Sequence, residues 1–132
     1  MSFKDFKEMP VWSLGQSIVI EVYALTEKLP SREDYALCGQ LRRASLSITG
    51  NIAEGFGRGH AIDKVNFYYF SRGSAYEVKG HLLSGEAVNY FNKEETKKIH
   101  EKSDQLIGEL NKIIKSLINN SKKSQPQPQS QS

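Results

Sequence analysis

Residues 37–58 read LCGQLRRASLSITGNIAEGFGR, and the spacing of their apolar side chains decides the fold class. Leu37, Leu41, Ala44, Ile48 and Ile52 recur at steps of three and four, the period of one face of an α-helix. Gly55, Gly57 and Gly59 follow and predict where that helix stops. Upstream, Ser31 is placed to cap its N-terminus, with Glu33 and Asp34 in the first turn, where acids favour the helix dipole.

The same period extends to both sides. Pro10 suits the first position of a helix. Val11, Leu14, Ile18, Val22, Leu25 and Leu29 predict one from Pro10 to about Lys28, closed by Pro30. A third helix is expected from Ala61 to about Tyr90. Asn92 with Glu95 has the pattern of a capping box and opens a fourth, whose seam is Ile99, Leu106, Leu110, Ile113 and Leu117. No proline interrupts residues 31 to 120. Four long helices joined by short loops predict an all-α fold, an antiparallel up-down-up-down four-helix bundle over residues 1–120. Residues 121–132, SKKSQPQPQSQS, contain no apolar side chain and are expected to form a disordered tail.

Composition narrows the function classes. A chain of 132 residues, 38% hydrophobic and 25% charged, is enough for one domain with its own core. The single cysteine, Cys38, excludes an internal disulfide and a cysteine-based zinc site. No stretch approaches the roughly 20 apolar residues of a membrane span. Lys4, Asp5, Lys7 and Glu8 leave the N-terminus without the apolar core of a secretory signal, so a cytoplasmic protein away from the membrane is expected. The net charge is +3 and the pI about 8.9. Between Lys93 and Lys123, eight lysines stand against five acids, a basic region able to attract phosphates.

Catalytic patterns are missing. Glu77 and His81 are four apart, and His100 has no glutamate three residues before it, unlike the Glu-x-x-His pairs of di-iron bundles. The glycines from Gly55 to Gly59 follow a helix rather than a strand, so they are not a dinucleotide loop. No enzymatic activity, cofactor, metal site or small-molecule substrate is expected.

Two clusters carry the functional expectation. Arg43, Ser47, Gly50, Glu54 and Arg58 form a polar stripe opposite the apolar one. In one reading it is structural, with Glu54 pairing Arg58 and with Gln40 and Glu77 as further structural polar groups. In the other, Arg42, Arg43, Asn51 and Arg58 contact the phosphates of RNA or DNA, together with Lys97, Lys98, Lys102, Lys112 and Lys115. The second cluster is aromatic. Phe67, Tyr68, Tyr69 and Phe70 point nearly all round one helix, more than a single buried stripe takes. With Tyr76, and with Gly73 and Gly80 spaced for close approach, they predict a homo-oligomer interface.

The run Gln40 to Arg58 closely resembles the signature of a bacterial family of four-helix-bundle proteins encoded in intervening sequences of 23S rRNA genes. Phe3-Lys4-Asp5, Val11-Trp12, Tyr35, Leu37, Arg72-Gly73-Ser74 and Glu77 match it as well, and the likeness spans roughly residues 3–118. The resemblance implies a left-handed bundle that assembles into a ring, a homopentamer, with no established enzymatic activity. The family is distantly similar to the accessory protein of diversity-generating retroelements, a basic pentamer that works with a reverse transcriptase and nucleic acid. Ser45, Gly50 and the Gln/Pro/Ser tail depart from the family pattern. Together these readings predict a non-enzymatic, ring-forming bundle that binds RNA or another nucleic acid through a basic surface. The alternative is a protein–protein interaction scaffold with no nucleic-acid role.

Overall fold

A computed structural model describes residues 2–124. Four helices account for most of them: α1 (Pro10–Thr26), α2 (Leu37–Gly57), α3 (Ala61–Ala87) and α4 (Lys93–Ser124). Helices adjacent in sequence pack side by side, and α4 returns to α1 to close the square. The fold is all-α, an up-down four-helix bundle. Ile18 and Val22 of α1, Leu41, Ile48 and Ile52 of α2, Val78 and Leu82 of α3, and Leu106 and Leu110 of α4 are fully buried and form its core.

Pro10 begins α1 as expected, because its missing N–H is one that the first turn leaves unpaired anyway. The start of α2 differs from the sequence reading. Ser31 makes no side-chain cap; Ser31–Glu33 form a separate 3-10 turn. Ala36 leaves the helical region (φ −113°, ψ −113°), so that turn does not run into α2. The carboxylate of Glu33 caps α2 instead, accepting from the Leu37 N–H at 3.2 Å.

α3 ends at Ala87, before Tyr90. Asn89 adopts a left-handed conformation (φ 68°), which asparagine tolerates, and reverses the chain. The N–H groups of Tyr90 and Phe91 then donate to the Gly85 carbonyl at 2.9 and 3.2 Å. The ring of Phe91 fills the space a side chain at Gly85 would need, and so joins the core. The capping box of α4 forms as expected: Glu95 N–H donates to Asn92 Oδ1 (2.9 Å) and Asn92 N–H to Glu95 Oε1 (3.0 Å).

At its other end, α4 runs one turn beyond Asn120. Residues 121–124, expected in the tail, continue the helix, because Leu117 and Ile118 anchor it on the core and each added residue needs no new nucleation. Residues 125–132 of the expected tail lie outside the described residues.

Small residues bring α2 and α3 close. A Cβ at Gly55 would lie 2.7 Å from Cε1 of the buried Tyr68, so only glycine fits there. Ser71 Oγ–H donates to the Ile48 carbonyl, and Ser74 Oγ–H to Ser47 Oγ, both at 2.8 Å. Lys64 reaches back from α3 and donates to the last carbonyls of α2, Phe56 at 2.7 Å and Gly55 at 3.2 Å. Burial lowers the pKa of this ammonium.

Candidate interaction surfaces

The basic residues singled out in the sequence do not converge. Arg42 is used inside the bundle. Its Nε–H donates to the buried Thr26 Oγ1 (2.9 Å), its guanidinium stacks 4.5 Å from the Tyr23 ring, and Nη2 lies 3.5 Å from Glu27. Asn51 donates to the carbonyl and hydroxyl of Ser47 at 2.8 and 2.9 Å. Arg58 pairs with Glu54 at 3.3 Å and lies over Phe67. Lys102 is held by Glu21 and Ser17 of α1. All four were expected at phosphates; each has partners within the chain, and Arg58 remains exposed beside its own. Arg43, Lys97, Lys98, Lys112 and Lys115 are exposed and lack an intramolecular partner among the described residues. On α4 the lysine pairs Lys97–Lys98 and Lys112–Lys115 stand roughly 20–27 Å apart at 1.5 Å per residue, with Glu101 and Asp104 between them.

The polar residues read as structural are placed as follows. Gln40 is half-buried on α2, Glu54 holds Arg58, and Glu77 is exposed beside His81 Nε2 at 3.3 Å. Glu86 takes a stronger set of partners. It accepts from Thr96 Oγ1 at 3.1 Å and lies 3.1 Å from His100 Nε2, which holds its carboxyl below the usual glutamate range. Among the described residues, no three His, Cys, Asp or Glu side chains gather to hold a metal. No helix among them is long and apolar enough to cross a membrane.

The aromatic cluster of α3 divides. Tyr68, expected at an oligomer interface, is only 3% exposed and packs against Gly55 of its own chain. Phe67 is half-buried edge-on to Phe70. The others do face out. Phe70 is 59% and Tyr76 56% exposed, and Ile62, Tyr69 and Leu83 lie on the same outer side of the helix. Gly73 and Gly80 stand between them with no atom within 4 Å of where a Cβ would be. Charge is sparse on this strip: Glu77 lies on it, and at its edge the Arg72 guanidinium stacks 4.7 Å from the Tyr69 ring while donating to Asn111 Oδ1 at 2.9 Å. At the end of the strip, a cleft of about 390 Å³ opens between α3 and α4, lined by Ile62, Val65, Tyr69, Leu117 and Ile118.

A second surface was missed in the sequence. α1 has one charged residue among its 17, Glu21, and that residue turns to Lys102 of α4. Its outer side shows Ile20, 62% exposed, with Tyr23 and Ala24 also exposed, and Leu46 is exposed on the adjoining α2. The near-absence of charge in a surface helix was the available signal.

Known proteins place this architecture. A crystal structure at 1.70 Å of a protein of unknown function from the S23 ribosomal protein family of Bacteroides thetaiotaomicron superposes with a TM-score of 0.71. It is 20% identical, and the match covers 80% of this chain and 98% of that one. No curated protein matches. The sequence pattern of one family extends over residues 7–112, from the turn before α1 well into α4. The chain belongs to the 23S rRNA-intervening sequence protein family.

Proposed function

We propose that this chain is a non-enzymatic assembly module whose working form is a ring of identical subunits, a pentamer, built through the outer face of α3. One observation carries the reading: Ile62, Tyr69, Phe70, Tyr76 and Leu83 share an exposed strip with two open glycines and little charge, Glu77 and the Arg72 guanidinium over Tyr69. Exposed aromatic strips of this kind mark protein partners. Covering them removes apolar area from water at little cost in charge desolvation. Light scattering tests it. A mass near five times the 14.9 kDa of one chain is expected, falling when Phe70 is changed to Asp. A wild-type monomer at tens of micromolar, or a Phe70→Asp variant of unchanged mass, refutes it.

Nucleic-acid binding is the second reading, supported by the unpartnered Arg43, Lys97, Lys98, Lys112 and Lys115. A ring repeats these weak sites and multiplies the +3 of one chain. Mobility shift with structured RNA should then show binding that weakens as salt rises. No shift at micromolar protein in low salt refutes it, and leaves assembly as the function.

A further inference from the structure

We infer that the outer face of α1, extended by Leu46 of α2, is the surface that receives the α3 strip of a second copy of this chain. The inference rests on the assembly reading above and names the other half of its contact. A helix on the outside of a lone bundle ordinarily turns charges to water. α4 does so, with lysines and acids throughout its exposed side. α1 does so little: Ile20 and Ala24 face out, Tyr23 faces out against the Arg42 guanidinium of α2, and its one carboxylate is taken by Lys102. The α3 strip is its counterpart in chemistry, since it is mostly apolar, contains small residues and carries little charge, Glu77 and the Arg72 guanidinium stacked on Tyr69. The charges beside the two surfaces are complementary. Arg43 stands free on the outer side of α2 near Leu46, and Glu77 has only the i,i+4 histidine as its partner.

The two surfaces lie on α1 and α3, which are diagonal in the square and make no backbone contact with each other. A contact between unlike surfaces is heterologous, so it either closes as a ring or propagates. An α3-to-α3 contact would instead stop at a dimer.

Complementation by mixing separates these cases. One variant carries Ile20→Asp and Leu46→Asp, the other Tyr76→Asp; all three positions are exposed, and circular dichroism checks that each variant folds. Each should fall to the mass of a single chain. Mixed, they should form a one-to-one heterodimer that grows no further, because each supplies one intact surface. Arg43→Glu and Glu77→Arg should each weaken assembly roughly tenfold or more, and the two together in one chain should restore it. If Ile20→Asp/Leu46→Asp keeps the wild-type mass while Tyr76→Asp loses it, the α1 surface is not the receptor and only this inference falls. A mixture that stays monomeric overturns it as well. A monomeric wild type would overturn the assembly reading itself.

Discussion

Changing Arg42 to Ala should destabilise the bundle by about 2 kcal/mol, while the same change at its neighbour Arg43 should cost under about 0.5 kcal/mol. Arg42 makes three contacts of unequal worth. Its hydrogen bond to Thr26 Oγ1 at 2.9 Å lies over a hydroxyl that is 1% exposed and already donates to the Val22 carbonyl. A half-buried hydrogen bond of this kind nets about 1.5 kcal/mol, where the ordinary and charge-assisted ranges meet. The stack on Tyr23 at 4.5 Å adds about 0.5–1 kcal/mol at a partly exposed site. The pair with Glu27 adds only a few tenths, because that carboxylate is 83% exposed. Arg43 has none of these partners. Urea denaturation of both variants at matched protein concentration reads the difference, and Tm should fall by roughly 8 °C for Arg42→Ala. Arg42→Lys should recover little, since the ammonium supplies charge without the planar stack or the fixed Nε–H. Equal stabilities for Arg42→Ala and Arg43→Ala would refute this assignment and return Arg42 to the surface chemistry suggested by the sequence.

Gly55→Ala should destabilise where Gly108→Ala stabilises. The first drives a methyl into the buried Tyr68 ring, costing about 1–3 kcal/mol, whereas the second meets open space and gains up to about 1 kcal/mol of helix propensity, both read by thermal unfolding. Asn92→Ala removes the cap of α4 and should cost about 0.5–2 kcal/mol, with hydrogen exchange rising first in that opening turn. The hydrogen bond from His100, helped by Thr96, holds Glu86 below its ordinary pKa. Its stabilisation is therefore complete above the unfolded glutamate value and is lost as pH falls through the lower folded one. Stability measured against pH should drop less steeply across that acid window in Glu86→Gln.

The helical period was legible because burial alone determines it. Leu41, Ala44, Ile48 and Ile52 face the core as their spacing requires, and the capping box at Asn92 closes as its local geometry dictates. Helix starts that depend on distant geometry were not legible. Ser31 has the chemistry of a cap, but Ala36 breaks the helix after it, and only Glu33 remains in reach of Leu37. The site was less readable still. The i,i+4 pair of Glu54 with Arg58 was legible, but arginine types say nothing of what lies across the groove: Thr26 and Tyr23 meet Arg42, and Phe67 lies under Arg58. Tyr68 and Phe70 are two residues apart and look alike in sequence, yet the gap left by Gly55 takes one inward and the helix turns the other to water. The charge-poor face of α1 could have been found by counting acids and bases helix by helix rather than across the whole chain.

That distribution of charge also separates the two proposed roles. Assembly surfaces on α1 and α3 need apolar area and few ions, since each ion buried unpaired costs several kcal/mol. Phosphate binding needs exposed cations, and those of α4 lie on the helix with the most charge and no claim to either assembly surface. Replacing Lys97, Lys98, Lys112 and Lys115 by Gln should therefore leave the oligomer mass at the wild-type value. The same change should abolish any RNA binding that falls with salt, and the slope against salt should shrink by about one for each phosphate that no longer meets a lysine. A variant that loses mass together with binding would place those lysines between subunits. One that retains binding in full would move nucleic-acid recognition to Arg43 or off the protein's cations altogether.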